Sequence, residues 1–197
     1  DYLPVDKKGL INLETLRSKI KPETKLVSVQ WVNNETGVIQ PIEAISEICK
    51  EKLIMLHTDG AQALGKIDFK QIINDIDFFT CTAHKIHGPQ GVGSIYAKNL
   101  KMLGRLLHGG GQESGYRPGT ENLSGIVGFG KAAQIRNNNF NGVADRHRKL
   151  RDDFEKLLVD SILDIDINGD IKSRVCNTTN IYFHGVDGQA LIAQIDQ

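Results

Sequence analysis

One lysine of the sequence stands where a reactive amine could be placed. Lys85 lies in TCTAHKIHGPQGVG, after a predicted strand and beside His84. An amine that is held neutral among suitable partners can form a Schiff base with an aldehyde, which an ordinary surface lysine does not do. Taken alone, Lys85 is more often a solvated charge, so the residues that accompany it decide between the two interpretations.

Polar residues also follow two earlier apolar runs of the chain. Asn33 and Asn34 come directly after LVSVQWV, and Asp59 and Gln62 follow LIML a few residues later. Each has an ordinary interpretation, because Asn and Asp are common in turns and at helix starts. If the runs are neighbouring strands of a parallel sheet, however, their carboxyl ends meet at one edge, which is where such sheets bind ligands.

The residue types at this edge are those that a pyridoxal phosphate site needs. Such a site has a lysine for the aldehyde and a carboxylate that keeps the pyridine nitrogen protonated, which Lys85 and Asp59 can supply. Donors for the ring hydroxyl and the phosphate are available in Gln62, Thr82 and His84. We therefore take Lys85 and His84 as candidate catalytic residues and pyridoxal 5'-phosphate as the candidate cofactor.

Other kinds of site have weaker support in the sequence. His84 and His87 have the HxxH spacing of some zinc sites, but no third ligand stands at a recognisable spacing, so we predict no metal site. Residues 88–93 run as GxxGxG, which differs from the dinucleotide fingerprint GxGxxG. Residues 109–115 lack the Gly-Lys-Ser/Thr of a phosphate-binding Walker loop.

The elements that must position these residues alternate along the first part of the chain. Valine-rich and other apolar runs predict strands at 25–33, 53–56, 76–80 and 93–97. Isoleucines at helical spacing predict a helix over 41–52 with Pro41 in its first turn, and a short helical segment is predicted around Ile72. This alternation favours an α/β fold with a largely parallel sheet.

The second part of the chain has a different character. Residues 109–119 contain five glycines and a proline, which predicts a loop. Helices are predicted at 122–136 and 145–160, the latter with an apolar stripe of Leu150, Phe154, Leu157 and Leu158, and strands at 165–167 and 180–183. The polar run 137–141 predicts a boundary between a large domain at 1–136 and a small domain at 137–197.

Composition argues against several classes of function. Lys plus Arg and Asp plus Glu each number 24, so we expect no binding to nucleic acid or to an acidic membrane surface. The three cysteines are widely spaced, which predicts a reducing compartment, either a bacterial cytoplasm or an organelle matrix. The chain starts with Asp1, and its last residues, ALIAQIDQ, read as an unfinished helix or strand, so we expect a fragment.

Beyond these single features, the sequence resembles the cysteine desulfurases of the iron–sulfur type, which are class V of the fold-type-I pyridoxal phosphate enzymes. Five blocks carry the resemblance through nearly the whole chain: VNNETGVIQPI, HTDGAQALGKI, TAHKIHGPQGVGSIY, HGGGQESGYRPGTEN and the weaker NTTNIYF. The resemblance implies part of the large cofactor-binding domain, with a mostly parallel sheet flanked by helices, followed by the start of an α+β small domain.

The resemblance also assigns roles to the matched residues of the cofactor site. It implies that Lys85 holds the cofactor aldehyde, that Asp59 pairs with the pyridinium nitrogen, and that Gln62 donates to the ring hydroxyl. Thr82 and His84 are then expected to hold the phosphate.

Three further residues have implied roles at the margins of this site. Asn34 is expected to lie against the cofactor hydroxyl and the substrate carboxylate. Thr120 is expected to reach the phosphate of the other subunit, which implies a homodimer. Arg117 is equally well explained by a contact with substrate or by a structural ion pair.

The implied reaction removes sulfur from L-cysteine and gives L-alanine and an enzyme persulfide, which passes sulfur to a scaffold or other acceptor protein. In the family, the sulfur-accepting cysteine follows the last residue of this chain, and Cys49, Cys81 and Cys176 do not match it. We therefore expect the isolated 197 residues to be inactive. A selenocysteine lyase or aminotransferase of the same class, and a non-catalytic assembly module that keeps the fold, remain as alternatives.

Overall fold

The computed structural model describes residues 1–195, and its first part is a four-stranded sheet. In order across the sheet the strands are β1 (Leu26–Gln30), β2 (Met55–Asp59), β3 (Phe78–Thr82) and β4 (Gly93–Ala97). The first three strands are parallel, and β4 is antiparallel to β3. The predicted α/β class with a mainly parallel sheet is confirmed.

Strands β2 and β3 begin two residues later than predicted, because the apolar residues before them close turns. The N–H of Ile54 donates to the carbonyl of Cys49 at 2.9 Å and so belongs to the end of the preceding helix. The N–H of Ile76 donates in the same way to the carbonyl of Ile73, at 3.3 Å. The short helical segment predicted near Ile72 is a 3-10 turn at Ile73–Asp75.

One face of the sheet is covered by helix α2 (Ile42–Glu51), beside which α1 (Leu13–Lys19) packs. Isoleucines at helical spacing in α2 share a buried core with alternate residues of the strands. Pro41 precedes the helix as its N-cap, where the sequence predicted it in the first turn. The difference arises because its ψ of 67° lies outside the helical region.

The opposite face of the sheet carries polar side chains, because successive strand residues point to opposite faces. Across it, the Nδ1 of His57 lies 2.7 Å from Ser28 Oγ, and its Nε2 lies 3.2 Å from Thr80 Oγ1. Burial lowers the pKa of His57, while the nearby charge of Asp59 opposes this shift. A row of hydrogen-bonded side chains thus joins the three parallel strands two residues before the end of β2.

The second part of the chain contains helices α3 (Leu123–Asn138), α4 (Phe140–Ser161) and α5 (Gly188–Ile195) and the antiparallel pair β5 (Ile165–Ile167) and β6 (Ile181–Phe183). Asn139 alone separates α3 from α4, where the run 137–141 predicted a linker. No helix within residues 1–195 has the combined length and apolar character that a membrane span requires. The division into domains at 136/137 stays a prediction.

Helix α4 exposes most of the apolar stripe that its sequence predicted. The exposed members are Leu150, Phe154 and Leu157. Glu155 is buried instead, because Arg174 donates two hydrogen bonds to its carboxylate, of 2.5 and 2.6 Å. Their side chains are only 9% and 5% exposed, so the ion pair is shielded from water.

The segment that contains Arg174 also pairs with the loop that follows β1. Val38 and Arg174 form an antiparallel bridge, and the N–H of Val175 donates to the carbonyl of Gly37 at 2.9 Å. The loop that carries Asn34 is therefore fixed by backbone hydrogen bonds to a distant part of the sequence.

Candidate active site

Lys85 lies in a 3-10 turn, His84–Ile86, that begins two residues after the end of β3. Ala83 and Ile86 are buried and anchor this turn, whereas the side chain of Lys85 is exposed. Within residues 1–195, Lys85 makes no side-chain hydrogen bond and no ion pair. The amine is thus presented on a fixed turn with all of its donors available for a ligand.

The turn after Lys85 is closed by His87 and Gly88, and the packing at Gly88 leaves little space for a side chain. His87 adopts a left-handed conformation with a φ of 64°, and the N–H of Gly88 donates to the carbonyl of Ala83 at 2.9 Å. A Cβ atom on Gly88 would lie 2.9 Å from that of Ala83. Glycine is therefore required here for the chain to double back beneath Lys85.

Asp59 occupies the carboxyl end of β2, opposite Gln30 of β1 and Thr80 of β3. Its side chain is half-buried, and its Oδ1 accepts a hydrogen bond from the N–H of Ala61 at 2.8 Å. No cation of the described part of the chain forms an ion pair with it. A half-buried carboxylate with no counter-charge of its own suits a cationic ring nitrogen.

Thr82 and His84 are brought into direct contact, as a shared role on one ligand requires. The Oγ1 of Thr82 lies 2.9 Å from the Nδ1 of His84 and 3.3 Å from the carbonyl oxygen of Val92. The hydroxyl can both donate and accept, so it can pair with either tautomer of the imidazole. Both side chains accordingly have fixed positions beside Lys85.

Gln62 has a partner that the sequence analysis missed. Lys66 Nζ donates a hydrogen bond to Gln62 Oε1, and both residues are half-buried. The available signal was their spacing of four residues, which brings side chains together in a helical turn. Lys66 lies inside the block HTDGAQALGKI but carried no role there.

Asn34 lies at the same edge of the sheet, on the loop after β1. Its Oδ1 accepts from Gln30 Nε2 at 3.4 Å, and its Nδ2 donates to Glu35 Oε1 at 2.6 Å. Asn33 has a structural role, since its Oδ1 accepts from the N–H groups of Glu35 and Thr36 at 3.0 and 2.9 Å. The neighbouring asparagines therefore divide into one that shapes the turn and one whose exposed amide faces solvent.

Thr120 and Arg117 lie on an exposed loop that makes no hydrogen bond to Thr82, His84 or Lys85 within residues 1–195. Arg117 Nη1 donates to the carbonyl of Pro118 at 3.3 Å and approaches the next two carbonyls at 3.5 Å. In the described part of the chain it has no acidic partner. The guanidinium thus closes its own loop, and both residues stay candidates for a site that needs a second chain.

The three thiols of the chain are poorly placed to act as nucleophiles. Burial raises the pKa of Cys49 to about 11, and burial also raises the pKa of Cys81. Cys176 is buried as well. Because the thiolate is the reactive form, Cys49 and Cys81 are held in their unreactive state at neutral pH.

The arrangement at the sheet edge fits pyridoxal phosphate in its donor and charge types. Lys85 offers an unengaged amine, Asp59 an unpaired carboxylate, and Thr82 with His84 a hydrogen-bonded donor pair. Within residues 1–195, no group of three His, Cys, Asp or Glu side chains is arranged to bind a metal ion.

Comparison with known proteins gives a uniform result. The aminotransferase class-V family model matches residues 1–197. The cysteine desulfurase IscS of Clostridium botulinum is 42% identical over 99% of this chain, which covers 50% of that protein. A solved NifS-like protein superposes with a TM-score of 0.94 at 36% identity, over 100% of this chain and 54% of its own.

A further solved structure contains a bound amino acid. SspA in complex with cysteine superposes with a TM-score of 0.78 at 32% identity, over 100% of this chain and 53% of its own. The chain therefore spans about half the length of the curated relatives and solved structures that it matches.

Proposed function

The chain belongs to the aminotransferase class-V family, and from this premise we propose that the complete protein is a pyridoxal-phosphate-dependent cysteine desulfurase. The observation that carries the proposal is the convergence of Asp59, Lys85 and the Thr82–His84 pair at the ends of neighbouring strands. In the described residues neither Asp59 nor Lys85 has an ion-pair partner, so both side chains are available to a ligand.

Each residue of this cluster has a distinct role in the proposed reaction. When bound, pyridoxal phosphate supplies an electron sink for a substrate carbon that loses a proton. Lys85 Nζ would hold the cofactor aldehyde and would accept the proton from the α carbon of the substrate. Asp59 would keep the ring nitrogen protonated, and Thr82 and His84 would hold the phosphate.

The substrate is proposed to be L-cysteine. The reaction breaks the bond between Cβ and sulfur, returns a proton to that carbon to give L-alanine, and leaves the sulfur as a persulfide on a protein thiol. We place that thiol outside residues 1–197, because the pKa values of Cys49 and Cys81 are raised and Cys176 is buried. Asn34 is proposed to contact the substrate carboxylate, with Arg117 as a second candidate.

We further propose that the enzyme is a homodimer in which Thr120 reaches the phosphate site of the other subunit. Thr120 is exposed, and so are apolar side chains of the same loop and of the helix after it, namely Leu106 at 89%, Leu123 at 70% and Val127 at 63%. Exposed apolar side chains of this size are common at interaction surfaces. The sulfur is then passed to an acceptor or iron–sulfur scaffold protein in a reducing compartment.

The domain boundary forms part of the same proposal. Residues 1–136 are assigned to the cofactor-binding domain, and a smaller domain is assigned from residue 137 onwards. The support is that β5 and β6 form a sheet separate from β1–β4.

Incubation of the full-length protein with pyridoxal phosphate and L-cysteine tests the proposal. Stoichiometric formation of alanine and of sulfide in the presence of a reductant is expected. Amino-group transfer to a keto acid, or activity with selenocysteine alone, would favour another member of the class, and absence of cofactor binding would favour an assembly module. The isolated 197 residues are expected to yield no alanine.

A further inference from the structure

We propose that Lys66 is a positioning residue that fixes the orientation of the Gln62 amide toward the ring hydroxyl of the cofactor. The inference rests on the proposed function, because it concerns the same pyridoxal phosphate site. It adds a residue to that site whose action passes through another side chain.

The hydrogen bond between the two side chains determines which end of the amide is free. A lysine ammonium has three donors and no acceptor, so the amide atom that meets Lys66 has to be the oxygen of Gln62. The amide nitrogen is then directed away from Lys66, and within residues 1–195 it has no hydrogen-bond partner. Gln62 is thereby left with a donor, which is what an anionic ring oxygen requires.

Lys66 is itself held in place from behind. Gly65 adopts a left-handed conformation with a φ of 70°, and its carbonyl accepts a hydrogen bond from Arg136 Nε at 2.5 Å. The N–H of Lys66 donates to the carbonyl of Ala63 at 2.9 Å. The backbone beside Lys66 is therefore held by a hydrogen bond from helix α3, which fixes the position of the Lys66 Cα atom.

Lys66 also shares the electrostatic environment of Lys85. Burial lowers the pKa of Lys66, and the positive charge of Lys85 lowers it further. The two amines therefore act at the same edge of the sheet, although only Lys85 is exposed. Because the half-buried ammonium of Lys66 donates one hydrogen bond to Gln62, it restricts the orientation of that amide.

The consequence for the cofactor is a difference between two amide orientations. When the amide nitrogen of Gln62 points toward the cofactor, it donates to the ring oxygen. When the amide oxygen points toward the cofactor, it faces the ring oxygen, and both atoms are acceptors. A hydrogen bond to a charged group contributes about 1.5 kcal/mol or more to binding. Losing the preferred amide orientation should therefore weaken cofactor affinity about tenfold.

The test measures cofactor affinity of the full-length apoprotein with two ligands. Pyridoxal 5'-phosphate carries the ring hydroxyl, and its 3-deoxy analogue lacks it. Lys66→Met is expected to weaken binding of pyridoxal 5'-phosphate about tenfold and to leave binding of the analogue unchanged. Lys66→Arg retains a donor and is expected to restore most of the affinity, and Lys70→Met is the matched control at an exposed lysine.

The outcomes separate this inference from the proposed function. If the unmodified protein binds neither ligand, the proposed function is wrong. If it binds both, and Lys66→Met weakens both equally or neither, the positioning role is overturned. A double variant, Gln62→Ala with Lys66→Met, is expected to bind no more weakly than Gln62→Ala alone; a further additive loss would also overturn the role.

Discussion

Two regions of the molecule carry the candidate site residues, and they are built in opposite ways. The sheet edge, formed by the ends of β1, β2 and β3 and the turns after them, holds its side chains by strand register and buried anchors. The glycine-rich loop, residues 104–122, is largely exposed and is held mainly by hydrogen bonds within itself.

The difference indicates what each region needs in order to function. At the sheet edge, Asp59 and Lys85 occupy fixed positions within this single chain. On the glycine-rich loop, Thr120 makes no hydrogen bond to either of them in the described residues, so its proposed role depends on a second subunit. Substitutions at the sheet edge should therefore act within one subunit, whereas those on the loop should act through the dimer.

The largest expected effect is at Lys85. Lys85→Ala in the full-length protein removes the amine that holds the cofactor and accepts the proton, so alanine formation should fall by at least about 10³-fold. Steady-state rates at saturating cysteine and pyridoxal phosphate measure this loss. Lys70→Met, at an exposed lysine outside the cluster, should leave the rate unchanged; a rate for Lys85→Ala within tenfold of the unmodified enzyme would contradict the assignment.

The buried ion pair of Arg174 with Glu155 should give the largest effect on stability. Arg174→Met leaves the carboxylate buried without its partner, which is expected to lower the free energy of unfolding by about 3 kcal/mol. Urea denaturation of the full-length protein measures the change. Arg148→Met, which removes an exposed ion pair on the same helix, is the control and should cost about 0.5 kcal/mol or less.

A pair of glycine substitutions compares the two regions directly. An added Cβ on Gly60 would lie 2.0 Å from the ring of Phe79, which packs against Trp31 and Phe69. Gly60→Ala should therefore cost about 2 kcal/mol of unfolding free energy. Gly111 has no atom within 4 Å of such a Cβ, so Gly111→Ala should change stability by no more than about 0.5 kcal/mol. Equal costs would remove the distinction between the regions.

Thr120→Ala tests whether the glycine-rich loop acts across the dimer. The loss of one hydrogen bond to phosphate should weaken cofactor affinity about tenfold. Mixed dimers of Thr120→Ala and Lys85→Ala subunits should contain one site with both residues intact, and that site should bind the cofactor normally. Affinity equal to that of the Thr120→Ala homodimer would place Thr120 outside the partner's site.

The smallest effect is expected in the dependence of stability on pH. Burial raises the pKa of Glu155, but the hydrogen bonds from Arg174 and the charges of Arg174 and Arg151 outweigh it and hold the pKa below its ordinary value of 4.5. The stability that the ion pair adds should therefore be present above pH 4.5 and be lost as the pH falls through the lowered value. Denaturation curves recorded at several pH values give the free energy of unfolding as a function of pH. Glu155→Gln should reduce the loss of this free energy at acid pH, and an unchanged loss would contradict the role of Glu155.

The sheet edge was largely predictable from the sequence, because strand ends follow from local patterns. The apolar runs and the polar residues after them placed Asp59 and Lys85 at the ends of neighbouring strands, and the parallel arrangement followed from the helical segments predicted between the strands. Pro41 and the starts of β2 and β3 were misplaced by one or two residues, since turns also bury apolar side chains.

Features that depend on distant contacts were not predictable in the same way. Glu155 reads as part of the charged face of α4, yet it is buried because Arg174 arrives from another segment. Lys66 is a different case, because its partner Gln62 lies only four residues away and that spacing was the signal in the sequence. The exposed apolar stripe of α4 is the opposite case. Its amphipathic periodicity correctly predicts a helix, but the pattern does not tell whether another part of the molecule covers the apolar face.

The central claim, that Lys85 holds the cofactor, is tested most directly by borohydride reduction of the full-length protein with bound pyridoxal phosphate, followed by peptide mapping. Reduction fixes the cofactor to the amine that holds it. The expected result is a single modified peptide in which Lys85 carries the cofactor. Modification of Lys66 in place of Lys85, or of several exposed lysines to similar extents, would contradict the assignment.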